Sequence, residues 1–141
     1  MNNKEQLKLN YKQKLEKAIT YLEYSYNKIN KIKLPYITND PEELEIWESF
    51  CARFSRVVDL FLTKYIRAAI LLHDPGFEGT LRDFVNQAEK LNLLDNADQW
   101  MSLRELRNIN AHEYTESDLS KFLERLYIET PFILTIKNKL K

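Results

Sequence analysis

Turn-forming and cross-linking residues are scarce in this chain of 141 residues, which holds two glycines, four prolines and one cysteine. So few glycines and prolines cannot serve the many tight turns of a β-sandwich or barrel, so the expected fold is all-helical. A lone cysteine, Cys51, cannot close an internal disulfide, and with two histidines beside it the chain cannot assemble a four-ligand Cys/His zinc site. Long apolar runs are missing too. No stretch reaches the roughly eighteen apolar residues of a membrane helix, and the opening residues MNNKEQLKLNYKQKLEK lack the apolar centre of a signal peptide. A cytoplasmic protein with no membrane partner is the expectation.

Neither sign of charge is in excess: Lys and Arg number 21, as do Asp and Glu. That balance argues against a constitutive nucleic-acid coating protein while leaving local basic patches open. The phosphate loop GxxxxGK[ST], the dinucleotide fingerprint GxGxxG, the zinc motif HExxH and the nucleophile elbow GxSxG are all absent, so no nucleotide cofactor or catalytic metal is expected.

What is present is helical periodicity along a single domain, residues 1–141. Tyr11, Leu15, Ala18, Leu22, Tyr26 and Ile29 recur at three- and four-residue steps, the pattern of a long amphipathic helix. This stretch is rich in lysine, whereas residues 34–50 carry five acids and no base. The spacing predicts a break from Leu34 to Asn39. A second helix should start at Asp40-Pro41-Glu42-Glu43, where an N-cap, a first-turn proline and acids favour the positive helix end. Its stripe includes Trp47, Phe50, Phe54, Val57, Val58, Phe61, Tyr65 and Ile66, with Cys51 inside it as a buried, inert thiol. Leu60, Leu62 and Ile70 to Leu72 widen the stripe beyond one face, so the helix is either central or shared with a second subunit.

His73-Asp74-Pro75-Gly76 should end that helix, and Thr80 with Asp83 suits a capped start for a third. A fourth helix carries Trp100, Leu103, Leu106 and Ile109, and a fifth carries Leu119, Phe122, Leu123 and Leu126, with Pro131 expected to kink or interrupt it. Together these make a compact bundle of about five helices.

The end of the fourth helix reads Arg107-Asn108-Ile109-Asn110-Ala111-His112-Glu113-Tyr114. With Trp100 at 0° on a helical wheel, Leu103, Leu106 and Ile109 fall at about 300°, 240° and 180° and define the buried arc. Arg107 and Asn110, at about 340° and 280°, stand within or beside that arc and need partners. Asn108 and His112, at about 80° and 120°, share the other side. Spacing alone is weak, since Arg67 also stands six residues before His73, but there the histidine runs off a helix end into a Pro-Gly turn. Around His112 the context is richer, with Asn108 after the arginine and Tyr114 two residues beyond the histidine.

The full pattern, R-x4-H-x-Y within an all-α chain of this length, resembles the HEPN superfamily, and the tyrosine resembles the HepT-like toxins of HEPN/MNT toxin–antitoxin modules. The resemblance implies a symmetric homodimer in which two such motifs face one cleft, acting as a metal-independent endoribonuclease on RNA. By matching position it makes Arg107 and His112 the catalytic pair and Asn108 the polar residue beside them. It further implies a nucleotidyltransferase antitoxin as partner, which attaches AMP to Tyr114. The chemistry suits the residue types: RNA supplies its own 2′-hydroxyl nucleophile, a histidine can accept its proton, and an arginine can hold the phosphate in a bidentate grip. A second reading, a non-catalytic HEPN subunit that binds a nucleotidyltransferase and presents substrate to it, uses the same helix. A third, a bundle that only mediates assembly, requires the motif to be accidental.

Overall fold

The computed structural model describes residues 2–32, 40–107 and 116–140, with the side chains of Arg107, Glu116 and Ser117 excepted. All regular structure among them is helical: α1 (Asn3–Ile29), α2 (Pro41–Asp59), a π-helical turn (Leu60–Tyr65), α3 (Ile66–His73), α4 (Leu81–Lys90), α5 (Ala97–Arg107), α6 (Glu116–Leu134) and the short α7 (Ile136–Lys139). The backbone stays right-handed helical through Asp59, Leu60, Tyr65 and Ile66, so α2, the π turn and α3 form one continuous rod. Among the described residues the architecture is thus five helical rods followed by the short α7. The expected break at residues 34–39 lies outside the described residues.

That rod is the centre of the bundle, and its sequence explains the π turn. Phe50, Phe54, Val58, Leu62, Ile66 and Ile70 stand four residues apart, and every one is fully buried. Each four-residue step overshoots a full α-helical turn by about 40°, so five steps would carry Ile70 about 200° around from Phe50. The π turn, in which the Ile66 N–H reaches back five residues to the Phe61 carbonyl, takes up one extra residue and returns about 100° of that drift. The remaining rotation spreads the stripe over α1 on one flank and α4, α5 and α6 on the others. The breadth of this apolar surface is therefore used inside one copy of the chain. It is the central helix of the two alternatives the sequence left open, and its width gives no argument for a second subunit.

Caps sit where the sequence placed them. The Asp40 side chain accepts from the Glu42 N–H at 3.1 Å with Pro41 in the first turn. Thr80 and Asp83 form a reciprocal capping box on α4, at 3.2 Å and 2.8 Å. Gly79 enters that box with φ +153°, and a Cβ there would come within 2.6 Å of the Asp83 carboxylate, so only glycine fits. The α4–α5 connection uses Asn92 and Asn96 in the left-handed region, φ 60° and 55°, a conformation asparagine tolerates better than most residues.

Of the two effects expected of Pro131, an interruption does not occur: α6 runs through it and ends at Leu134. The proline removes one backbone bond, but the stretch around it is held by packing. Thr130 is fully buried with its hydroxyl donating to the Leu126 carbonyl at 2.7 Å, Ile133 is fully buried, and the Phe132 ring lies 5.3 Å from that of Trp100. The stop falls instead at Thr135, whose N–H and hydroxyl both turn back to the Phe132 carbonyl.

Candidate functional site

The helix that ends at the first residue of the motif, α5, is fixed by its first two turns. Asn96 caps it, its side chain accepting from the Gln99 N–H at 3.1 Å, and Glu89 of α4 accepts from the Ala97 N–H at 2.7 Å. Arg82 and Asp98 pair across α4 and α5. Trp100, 1% exposed, is the anchor: its ring lies 4.6 Å from Phe61 in the π turn and 5.3 Å from Phe132 on α6. Gln99 adds a hydrogen bond to Glu129 of α6 at 3.0 Å. Ala97, Trp100, Leu103 and Leu106 are all buried, as the helical wheel requires. Arg107 is the last residue of α5 and Glu116 the first of α6. Arg107 is thus placed by its backbone alone, and Asn108, His112 and Tyr114 lie outside the described residues.

One turn before Arg107, the structure shows a cation that the motif does not contain. Arg104 stands at the border of the buried arc, and its Nε is shut off from solvent with no hydrogen-bond acceptor among the described residues. A buried donor left unpaired costs about 1–3 kcal/mol. Arg104 shares a small hollow with Thr63, Arg67, Leu81 and Phe84. The Arg67 guanidinium lies 5.1 Å from the Phe84 ring centroid, a cation–π contact that holds its plane. Two arginines from distant parts of the chain therefore converge, and two planar forks on one hollow can grip an oxyanion. Sequence reasoning noticed Arg67 only for its spacing to His73. That pair is not brought together in a hollow: His73 ends α3 and borders an apolar depression with Lys8, Leu72, Leu91 and Leu93. Nothing in the sequence pairs Arg67 with Arg104, because their proximity is tertiary.

Cys51 is partly buried, and burial, helped by the nearby Glu48 charge, pushes its thiol up to about 12. At neutral pH it holds its proton and is no nucleophile, as its position in the apolar stripe suggested. Glu42 and Glu43 occupy the first turn of α2 as helix-start acids. No described helix is long and apolar enough to cross a membrane. The chain matches no protein-family model, no curated protein and no solved structure, so the reading of its site rests on its own residues.

Proposed function

We propose that the chain is the toxin of a HEPN/MNT-type toxin–antitoxin module, a metal-independent endoribonuclease whose catalytic pair is Arg107 and His112. The observation that carries this reading is the complete R-x4-H-x-Y motif, which begins on the last residue of α5 and ends just short of α6 in an all-helical bundle. His112 accepts the proton of an RNA 2′-hydroxyl as that oxygen attacks the adjacent phosphorus. The P–O5′ bond breaks, the 5′-oxygen leaves and takes a proton from water or from the protonated histidine, and a 2′,3′-cyclic phosphate remains. Arg107 holds the non-bridging oxygens as charge builds on them, and Asn108 positions the phosphate. On one straight helix Arg107 and His112 would point about 140° apart. A cleft between two copies of the chain is the easier way to bring an arginine and a histidine onto one phosphate. The antitoxin is a separate nucleotidyltransferase that uses ATP to attach AMP to Tyr114, placing a negative phosphate and a bulky base where substrate must enter.

Expression in the absence of an antitoxin tests the proposal. Growth should stop with the natural chain and continue with His112→Ala at equal protein level. Equal toxicity of the two would remove His112 from the mechanism, and undisturbed growth with both would favour the non-catalytic reading, in which the bundle serves a partner nucleotidyltransferase.

A further inference from the structure

Two hollows meet on the flank of the central rod, and Thr63 and Arg67 line both. One, of about 180 Å³, is completed by Leu81 and Phe84 of α4 and Arg104 of α5. The other, also about 180 Å³, is completed by Leu7 and Tyr11 of α1 and by Lys64, Ala68 and Leu71 of the rod. Among the described residues, three cations and no carboxylate line this double hollow. A fourth positive charge stands near it, the Lys14 Nζ 6.0 Å from the Tyr11 ring centroid.

Cations gathered on small hollows repel one another, and an oxyanion relieves that repulsion by accepting from the solvent-facing N–H groups of the two guanidinium forks on the same hollow. Thr63 does not compete as a donor, because its hydroxyl proton already goes to the Asp59 carbonyl at 2.7 Å. The two lobes differ in character. The arginine lobe suits a phosphate, while the Tyr11 lobe has mostly apolar walls and an aromatic ring, the surface against which a flat base stacks.

We propose that the double hollow binds a nucleotide unit, with its phosphate between Arg67 and Arg104 and its base in the adjoining lobe against Tyr11. A free nucleotide and one unit of a single strand share this chemistry. The assignment does not rest on cleavage at His112, and failure of that cleavage leaves it in place.

Titration of the full chain with guanosine monophosphate, and separately with a labelled single-stranded oligoribonucleotide, tests the assignment. At least one probe should saturate at low salt. Saturation by the mononucleotide alone identifies a free nucleotide, and by the oligonucleotide alone a strand, and either result supports the site. Arg67→Gln and Arg104→Gln should each weaken binding about tenfold, and for the oligonucleotide each should lower the salt slope by about one. Arg104→Lys, which keeps the charge and loses the planar fork, should fall between natural chain and Arg104→Gln. Tyr11→Ala should weaken binding by roughly fivefold through lost stacking. Arg53→Gln, outside both hollows, should leave it unchanged. Absence of saturation by either probe at millimolar concentration overturns the proposal. So does unchanged affinity in correctly folded Arg67→Gln or Arg104→Gln, and an unaffected Tyr11→Ala removes the base from the assigned lobe.

Discussion

Arg53 and Arg104 are both arginines at the edge of the same core, yet their surroundings are opposite. Arg53 is engaged by its own fold: its Nη1 donates to the Ser25 hydroxyl at 2.7 Å and to the Tyr21 carbonyl at 3.4 Å, and its guanidinium lies 5.7 Å and 5.9 Å from the Tyr21 and Tyr24 rings. Arg104 has a buried Nε with no acceptor among the described residues and a second arginine on the same hollow. The first cation fastens α1 to α2 and satisfies Ser25, which is only 3% exposed. The second leaves its binding capacity open, one turn before the residue that starts the R-x4-H-x-Y motif. Stability and recognition are thereby assigned to different arginines.

The largest effect concerns the anchor that holds the open arginine in place. Trp100→Ala removes the ring that ties α5 to Phe61 and Phe132 and should cost about 3–5 kcal/mol in urea unfolding; a loss under about 1 kcal/mol would mean that α5 is held by other contacts. Next, Thr80→Ala should cost about 1 kcal/mol, because α4 carries the Phe84 ring beneath Arg67 and depends on its capping box. Acid should reproduce part of this loss. Hydrogen bonds from the Thr80 N–H and hydroxyl lower the Asp83 pKa, so the box is fully present above the ordinary carboxylate range and fades as pH falls through the lowered value. Stability of an Asp83→Asn variant should accordingly vary less with acid than that of the natural chain.

The comparison itself is tested by replacing each arginine with methionine, which keeps much of the stem and removes the head. Arg53→Met should cost about 1 kcal/mol, since it leaves the buried Ser25 hydroxyl without its partner and strips the cation from two rings. Arg104→Met should have the smallest effect on stability, a neutral result or a slight gain, because it deletes an unpaired buried donor. Equal losses from the two substitutions would erase the distinction between them.

Local signals in the sequence foretold local structure well. Asp40-Pro41, Thr80-x-x-Asp83 and the His73 stop are each decided within a few residues, and each stands where it was expected. The four-residue spacing from Phe50 to Ile70 was equally visible, but its consequence, the π turn, depends on how far the rod must follow the core. That Pro131 does not interrupt its helix was hidden for a related reason: the cost of its missing N–H is set locally, whereas the burial of Thr130, Ile133 and Trp100 that carries the helix through is not. Of the site, the motif was readable because its residues lie in one stretch. The meeting of Arg67 with Arg104 was not, being separated by 37 positions and joined only by the packing of α4 and α5 on the rod.

The central claim is that His112 and Arg107 cut RNA without a metal, and the direct measurement is cleavage of single-stranded RNA by purified protein in the presence of a chelator. The natural chain should cleave at an undiminished rate with chelator, while His112→Ala and Arg107→Ala should each lose about 100-fold or more with their folds intact. Activity abolished by the chelator, or retained in full by His112→Ala, would contradict the account.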